Sequence, residues 1–259
     1  MTLRVIPLGS GSGGNAILVE LGDTRVLVDA GLSARALATR MRGVGVEPAS
    51  IAGILLSHEH GDHARGAERF SRRFGVAVHC GSETLEALDL SHVHLAAWSP
   101  FLPGQPFEVR GIVVDPFPVP HDAVRPVGFV LSRDGVRVGV ATDLGHATTL
   151  VVERLRGCDV LVVESNYDPE MLRDGPYPWE LKQRVAGRTG HLSNHEAAAL
   201  LSDVVDERCR AVVLAHLSKH NNTPELARRT AAAALVRTPG KRAAMRVASA
   251  HGPTPAVVV

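Results

Sequence analysis

Three histidines and an aspartate fall within six consecutive positions of the segment LLSHEHGDHARG, at 55–66. They are His58, His60, Asp62 and His63, and they follow the apolar run GILL. Alternate residues of an extended chain point the same way, so His58 and His60 share one side, and a turn at Gly61 brings Asp62 and His63 back. Imidazole nitrogen and carboxylate oxygen suit Zn²⁺ or Mn²⁺. The segment therefore predicts two adjacent metal ions better than it predicts a solvated polar loop.

Short strand-like runs alternate with helical patterns along the chain. AILVEL and RVLVDA flank Gly22-Asp23, and GFVLS and VRVGVAT flank Asp134-Gly135, so both pairs predict β-hairpins. Five segments carry apolar residues at helical spacing: ARALATRMR, ARGAERFSRRF, SETLEALDL, NHEAAALLSDVV and PELARRTAAAALVR. The Pro-rich stretch 100–126 contains FEVRGIVVDPFPV, which we interpret as one strand bounded by loops. The pattern predicts a mixed sheet covered by helices.

The two halves of the chain share a weak internal similarity. VLVDAGL at 26–32 resembles VGVATDLG at 138–145, and ILLSHEH at 54–60 resembles VVLAHLSKH at 212–220. Each half therefore offers one strand that ends in Asp and one that ends in His. Two sheets with helices outside would bring these four strand ends to one cleft. We expect an α/β (α+β) fold, a four-layer αββα sandwich in a single domain spanning 1–259.

Composition limits the classes of function. The chain has 28 basic and 27 acidic residues and a formal net charge of +1, so a nucleic-acid partner would need a local basic patch. Cys80, Cys158 and Cys209 form no CxxC pair and lie in or beside apolar runs, which predicts buried free thiols and a cytoplasmic protein. No apolar run approaches the roughly 18 residues of a membrane span, and MTLRVIPLGSGSGG lacks the apolar stretch of a signal peptide. We expect no membrane partner and no export.

Gly9, Gly11 and Gly14 satisfy the G-x-G-x-x-G pattern of dinucleotide sites. The segment that follows them, NAILVELGDTRVLVD, predicts a β-hairpin, so no helix N-terminus would face a pyrophosphate. We therefore expect the glycines to let the backbone lie close beneath the metal site.

These motifs carry a family resemblance. SHEHGDH matches the HxHxDH signature of the metallo-β-lactamase-fold hydrolases, and PHDA, TDLG and LAHLSKHNNTP fall where that family keeps its other ligands. The resemblance spans nearly the whole chain. LGSGSGGNA, VDAG, PHDA, TDLG, GHLSN and LSKHNNTP together resemble the YycJ/WalJ-like branch, whose members are linked to exonucleolytic cleavage of DNA.

The resemblance implies two divalent metal ions per chain, Zn²⁺ and/or Mn²⁺, that activate a bridging water. Seven side chains are implied as ligands: His58, His60 and His121 for one ion, Asp62, His63 and His216 for the second, and Asp143 between them. Asp62 is also implied to accept a hydrogen bond from the nucleophile.

Further residues receive supporting roles. Asp29 either caps its strand or orients a ligand imidazole, and His220 and Asn221 are candidates for the same orienting role. His191 is either a surface loop residue or a phosphate contact or general acid. Four arginines on the predicted helix after the metal loop form a solvated face or a phosphate track: Arg65, Arg69, Arg72 and Arg73. His92 and His94 have no carboxylate after them, so we assign them to a peripheral strand.

Several functions share this metal chemistry. A glyoxalase-II-like thioester hydrolase uses the same ligands, although its helical tail is not evident, and an RNase-Z-like reading makes RNA a candidate substrate. A lactamase is disfavoured, because Asp143 stands where many lactamases have Cys. A non-catalytic metal-bearing binding or regulatory module is disfavoured by the intact ligand set, and a di-iron redox protein by the lack of a flavin domain. We expect a nuclease that cleaves DNA from an end, with RNA as a second candidate; no oligomeric state is predicted.

Overall fold

Within residues 2–88, 95–240 and 242–259, which the computed structural model describes, fourteen strands form two seven-stranded sheets. The first sheet has the order β14-β1-β2-β3-β4-β5-β6. Its strands are β1 (Leu3–Gly9), β2 (Ala16–Leu21), β3 (Thr24–Val28), β4 (Gly53–Leu55), β5 (Val78–Cys80), β6 (Trp98–Pro100) and β14 (Val257–Val258). Four helices belong to this half: α1 (Ala34–Gly43), α2 (Gly61–Ala64), α3 (Ala67–Phe74) and α4 (Ser82–Ala87), with a 3₁₀ turn at Pro48–Ser50.

The second sheet has the order β13-β12-β11-β10-β9-β8-β7. Its strands are β7 (Phe107–Val109), β8 (Ile112–Pro118), β9 (Val127–Arg133), β10 (Val136–Ala141), β11 (Val160–Glu164), β12 (Ala211–Ala215) and β13 (Ala244–Val247). Its helices are α5 (Thr149–Leu155), α6 (Pro169–Asp174), α7 (Trp179–Val185), α8 (Asn194–Val204) and α9 (Pro224–Leu235).

Three apolar layers hold the sandwich together. Between the sheets, inward residues such as Val19 of β2 and Phe129 of β9 are fully buried. On the outer faces, α1 and α3 cover the first sheet, and α5, α8 and α9 cover the second. In β1, Val5 faces the other sheet whereas Ile6 faces the helices, as the two-residue period of a strand requires. The predicted αββα sandwich is confirmed.

The two sheets have the same internal plan. Strands β14 to β3 pair antiparallel and β3 to β6 pair parallel, and the same change occurs at β10 in the second sheet. β3 and β10 therefore correspond, as their similar sequences predict. The parallel neighbour of β3 is β4 and that of β10 is β11, so β4 corresponds to β11 and not to β12, the strand with the similar sequence.

Both predicted hairpins are present, as β2–β3 and β9–β10, but the Pro-rich stretch 100–126 does not hold a single strand. It contains the hairpin β7–β8, whose turn residues Arg110 and Gly111 have φ of 45° and 85°. Two positive φ values are typical of a type I′ turn, which favours Asn-Gly. The Arg-Gly pair does not indicate such a turn, so the sequence did not predict it. His92 and His94 lie outside the described residues.

The five predicted helical segments form α1, α3, α4, α8 and α9, whereas α2, α5, α6 and α7 were not predicted. The segment 168–190, here called the helical excursion, carries α6 and α7 between β11 and α8. Tyr167, Leu172 and Val185 form a small apolar cluster there, apart from the three layers of the sandwich. None of the described helices combines the length and the apolar character that crossing a bilayer requires.

Candidate metal centre

The first sheet supplies four of the predicted ligands from the segment that follows β4. His58 is fully buried directly after the strand, and α2 begins at Gly61 and turns Asp62 and His63 back beside it. The His58 ring lies 4.6 Å from the His60 ring and 4.2 Å from the His63 ring, between centroids. The local fold therefore concentrates the four side chains as the sequence predicts.

The second sheet supplies the other three from the ends of three strands. His121 follows β8, Asp143 follows β10 and His216 follows β12, and all three are buried. The His121 ring lies 5.2 Å from the His58 ring, and the His216 ring lies 5.7 Å from the His63 ring. The centre thus lies where the two sheets meet.

Potential donor atoms form four overlapping groups among the described residues, each with its atoms within 4.8 Å of one another. Two groups are the predicted ligand sets, His58 with His60 and His121, and Asp62 with His63 and His216. A third group joins Asp143 and His216 to Glu164 and His191. Asp143 forms a further group with His58 and His63, and its Oδ1 lies 3.2 Å from Nδ1 of His216. The arrangement brings together the side chains of both predicted ligand sets, with the Asp143 carboxylate between them.

Several inward atoms of this cluster make no hydrogen bond among the described residues: Nε2 of His58, His121 and His216 and Oδ2 of Asp143. Two of them have only charge contacts, since Oδ2 of Asp143 lies 3.1 Å from Nε2 of His63 and Nε2 of His216 lies 3.5 Å from Oδ2 of Asp62. Buried polar atoms are nearly always hydrogen-bonded, so four that converge without partners need an explanation. Divalent cations bound by nitrogen and oxygen ligands would satisfy them, and the donor set fits Zn²⁺ or Mn²⁺.

The opposite ring nitrogen of four histidines is held by the protein. Nδ1 of His58 lies 2.9 Å from Oγ of Ser57, and Nδ1 of His63 lies 2.8 Å from Oδ2 of Asp29. Nδ1 of His121 lies 3.1 Å from the carbonyl oxygen of Gly190. Nδ1 of His216 lies 2.7 Å from Oε1 of Glu164. Such contacts fix the tautomer that leaves Nε2 for a metal ion.

Asp29 anchors the first-sheet half of the centre. Its Oδ1 accepts the backbone N–H of Ser57 at 2.8 Å, and its Oδ2 accepts the hydroxyl of Ser57 at 3.0 Å as well as contacting His63. The carboxylate therefore orients two ligand rings, His63 directly and His58 through Ser57.

Burial and charge divide the ligand histidines into two classes. Burial and the His63 ring hold the pKa of His58 well below its ordinary value, and burial lowers the pKa of His121. Burial also opposes charge on His216, but Asp143 and hydrogen bonds with carboxylates outweigh it and raise its pKa to about 10. Asp143 and Asp29 likewise raise the pKa of His63 against the effect of burial. The lowered pKa values thus keep the rings of His58 and His121 neutral, whereas the raised pKa values of His63 and His216 leave both rings with a proton to release.

Backbone conformation marks three of the strand ends. Asp29, Asp143 and His216 have φ of 60°, 57° and 54°, in the left-handed region. Side-chain-bearing residues adopt this region at a cost of about 1–2 kcal/mol, which the surrounding structure must offset. The shared conformation turns the backbone sharply after each of the three strands.

The glycine-rich loop lies beneath the metal loop, as the sequence predicts. The amide of Asn15 donates to the carbonyl oxygen of Asp62 at 2.7 Å, and the amide of Gly31 donates to the carbonyl oxygen of Asn15 at 2.9 Å. A Cβ on Gly31 would lie 1.6 Å from the carbonyl oxygen of Asp62, so only glycine fits. These close backbone contacts fix the position of Asp62.

Glu164 is a functional residue that the sequence reasoning missed. It is fully buried at the end of β11, and its Oε1 contacts Nδ1 of His191 at 2.9 Å and Nδ1 of His216 at 2.7 Å. Its Oε2 accepts the backbone N–H groups of Leu144 at 3.2 Å and Leu192 at 3.0 Å. Burial opposes its charge, but His191 and its other partners lower its pKa to about 2. A carboxylate that closes an apolar strand, as in VLVVES, was the available signal.

His191 lies at the edge of the centre and lines its cleft. Its ring is 5.2 Å from those of His121 and His216, and Glu164 raises its pKa above the ordinary value despite the effect of burial. Because Nδ1 contacts Glu164, Nε2 is the nitrogen available to a bound molecule.

The structure does not bring the remaining candidates to the ligands. His220 is exposed, and its ring contacts Tyr177 at 5.8 Å between centroids. Asn221 is buried, but its Nδ2 donates to Ser218, and neither side chain bonds a ligand among the described residues. The four arginines after the metal loop are exposed, and none lines the cleft: Arg65, Arg69, Arg72 and Arg73. Arg72 pairs with Glu68 at 2.9 Å, as an i,i+4 pair on a solvated helix face.

Known proteins resemble this chain over most of its length. Residues 24–217 match the model of the Beta-lactamase superfamily domain. Exodeoxyribonuclease YycJ of Bacillus anthracis is 34% identical over 234 residues, which cover 88% of this chain and 87% of that protein. Exodeoxyribonuclease WalJ of Streptococcus pneumoniae serotype 2 (strain D39 / NCTC 7466) is 33% identical over 227 residues, covering 86% and 84%.

A solved structure shares the fold. The metallo-beta-lactamase fold protein YhfI from Bacillus subtilis aligns with a TM-score of 0.75 and 16% identity, over 97% of this chain and 98% of that one. The fold, the matched family and the His and Asp cluster together indicate a hydrolase that depends on divalent metal ions. The chain therefore belongs to the β-lactamase superfamily, and within it to the metallo-β-lactamase-fold family of YycJ and WalJ.

Proposed function

We propose that this protein is a two-metal phosphodiesterase that degrades DNA from an end, with RNA as a second candidate substrate. The observation that carries the proposal is the convergence of unpartnered donor atoms from both sheets, in a chain similar to two proteins named exodeoxyribonucleases. In this proposal His58, His60 and His121 hold one ion, Asp62, His63 and His216 hold the other, and Asp143 lies between them. Such ions lower the pKa of a bound water and neutralise charge on a phosphodiester.

The protein residues handle the protons of the reaction. Asp62 lines the cleft with a carboxylate that is 21% exposed, so it can both bind metal and accept a hydrogen bond from the attacking water. Glu164 contacts Nδ1 of His191, so Nε2 of His191 is the atom suited to donate a proton to the leaving alkoxide. Glu164 positions His191 and a ligand at once.

A panel of substrates tests the proposed function. Purified protein loaded with Mn²⁺ or Zn²⁺ is given end-labelled single- and double-stranded DNA, RNA and S-lactoylglutathione. We expect shortening of DNA from one end. Thioester hydrolysis with every nucleic acid left intact would establish the glyoxalase-II-like alternative instead, and metal binding without any turnover would indicate a non-catalytic module.

Variants assign the activity to this centre. Asp62→Ala and His63→Ala should abolish turnover, because each removes a ligand of one ion and Asp62 also orients the nucleophile. His195→Ala is the matched control, because His195 is an exposed histidine of α8 outside the cleft. Full activity in Asp62→Ala would refute the proposed site.

A further inference from the structure

One permanent cation lines the cleft among the described residues, and it comes from the helical excursion. Arg184 of α7 lies in the wall of the cleft with Tyr177, His121 and His191. The other ionisable side chains there are carboxylates, ligand imidazoles and the imidazole of His191, whereas the substrate of a phosphodiesterase is an anion. The arginines after the metal loop do not line this cleft, so Arg184 is the residue placed to meet a phosphate group.

The ion pair of Arg184 leaves its terminal nitrogens free. Nε lies 2.5 Å from Oδ2 of Asp122, the residue after ligand His121. Nη1 and Nη2 hydrogen-bond to none of the residues that the structure describes, and the side chain is 61% exposed. Asp122 therefore aims the guanidinium and leaves the two-nitrogen fork that binds phosphate oxygens.

The excursion is joined to the chemistry at its C-terminal end. The carbonyl oxygen of Gly190 contacts Nδ1 of His121, and the amide of His191 donates to the carbonyl oxygen of Val185 at 2.9 Å. The amide of Asp122 donates to the carbonyl oxygen of Thr189 at 3.0 Å. These bonds fix α7, and with it Arg184, relative to the metal ligands.

The cleft is too small to enclose a long substrate. Its volume is about 230 Å³, below the roughly 300–1,000 Å³ of pockets that bury a drug-sized ligand. A polymer must therefore continue outside it. Tyr177 is half-buried at the cleft, packs on the cluster of Leu172 and Val185, and meets His220 edge-on. Its ring therefore places an aromatic side chain in the wall of the cleft.

We propose that the helical excursion holds the nucleic-acid strand, with Arg184 binding the phosphate next to the scissile one and Tyr177 stacking on a base. This inference rests on the proposed function and names the part of the protein that recognises its substrate. Arginine supplies charge without sequence preference, and aromatic stacking accepts any base. The excursion therefore recognises a strand without reading its sequence.

Arg184→Gln tests the phosphate contact. We expect KM for single-stranded DNA to rise about ten-fold to a hundred-fold with a smaller change in kcat, because charged hydrogen bonds are of that strength. DNA binding is also measured by fluorescence anisotropy in EDTA, which prevents cleavage. The slope of the logarithm of the binding constant against the logarithm of salt concentration should become shallower by about 0.7. Arg42→Gln is the matched control, because Arg42 is an exposed arginine of α1 that pairs with Glu47 and lies outside both the cleft and the excursion.

A modified substrate isolates the same contact. DNA with a neutral methylphosphonate at the penultimate linkage of both ends lacks the charge that Arg184 would bind. On this substrate wild-type and Arg184→Gln proteins should have equal KM, whereas Arg42→Gln should match wild type on both substrates. An Arg184→Gln defect of the same size on both substrates would overturn the contact.

Tyr177 is tested through its ring. Tyr177→Phe should bind DNA as wild type does, whereas Tyr177→Leu, which keeps apolar packing, should weaken binding about five-fold or more. Terminal abasic nucleotides should remove that difference, and thermal unfolding checks that the Leu variant is folded. Cleavage of DNA by wild type with no defect in the Arg184 or Tyr177 variants would overturn this inference alone. Failure of wild type to bind or cleave any DNA would overturn it together with the proposed function.

Discussion

Glu164 is the buried carboxylate that contacts both His191 and His216. Its four contacts come from two imidazole rings on Oε1 and two backbone N–H groups on Oε2. All of them suit an ionised carboxylate, whose oxygens only accept hydrogen bonds. In a glutamine at this position, the amide NH₂ group would face either the two imidazole rings or the two backbone N–H groups, and all of these are donors.

Glu164→Gln should therefore loosen His216 and His191 together. We expect the affinity for the ion near His216 to fall roughly 10–100-fold, the usual effect of losing a partner that orients a ligand. Competition with a chromophoric chelator measures that affinity. Glu153→Gln is the control, because Glu153 is an exposed residue of α5. Unchanged metal affinity in Glu164→Gln would show that His216 does not need its partner.

The three thiols are shielded by the fold. Burial raises the pKa of Cys80 and of Cys158 to about 11 and that of Cys209 to about 12. The nucleophilic thiolate is then a minor species at pH 8, of order one part in a thousand for a pKa of 11. Native protein should react with a thiol reagent at pH 8 far more slowly than protein in denaturant. In denaturant the reagent should react with all three thiols. Rapid reaction of folded protein would contradict the buried positions.

At the scale of elements, the contact between the end of β3 and the metal loop leaves no room for a side chain at Gly31. Gly31→Ala should lower the free energy of unfolding by about 1–3 kcal/mol or more, because Asp62 must move away. It should also weaken metal binding at the position that Asp62 and His63 share. Chemical unfolding and metal titration measure the two effects.

Gly43→Ala is the control for that substitution. A Cβ on Gly43, the last residue of α1, would meet no atom within 4 Å. Alanine there should leave stability unchanged or raise it by up to about 1 kcal/mol, since it favours the helix. Equal stabilities for the two variants would show that the β3 contact is not tight.

Hairpins and amphipathic helices were predictable because their signals are local. Asp134-Gly135 marks its turn by residue type, and the metal loop concentrates four donors in six positions. Glu164 was not predictable in the same way, because the sequence similarity paired β4 with β12, whereas the sheet order pairs it with β11. The helices of the excursion were missed because their apolar residues form a small cluster of their own, with short and weakly periodic faces.

At the scale of the molecule, the candidate metal centre takes its side chains from both sheets. The first sheet provides the donors from His58 to His63, and the second provides His121, Asp143 and His216. A ligand at a free concentration of about a hundred times its Kd adds roughly 2.7 kcal/mol to the free energy of unfolding. Chelation should therefore lower the unfolding temperature by roughly 5–10 °C for a chain of this size. An unchanged temperature after verified metal removal would contradict binding between the sheets.

Proton release should accompany metal binding. The raised pKa values of His63 and His216 mean that both rings carry an extra proton in metal-free protein at neutral pH, whereas His58 and His121 do not. Filling the position of Asp62, His63 and His216 should release protons, so its affinity should rise with pH. Titration calorimetry in buffers of different ionisation enthalpy counts those protons. Release at the other position only would reverse the assignment.

Metal-free protein should also lose stability as pH rises. A histidine whose pKa is raised by folding contributes stability that is full below its unfolded pKa of about 6.5 and disappears as pH rises through the folded value, about 10 for His216. Glu164, with a pKa lowered to about 2, contributes in the opposite sense, and that contribution is lost as pH falls from its unfolded value of about 4.3 toward 2. Unfolding of chelated protein between pH 5 and 10 measures the alkaline loss, and a flat profile would contradict it.

The left-handed backbone at Asp29, Asp143 and His216 changes how this centre must be dissected by mutagenesis. Alanine at any of these positions deletes a functional group and also imposes a residue that resists the conformation, so the two effects add in one measurement. Asparagine tolerates positive φ, and glycine prefers it, so the pair isolates the side chain from the backbone. An alanine scan of the strand ends would overstate the chemical importance of three residues for reasons of geometry alone.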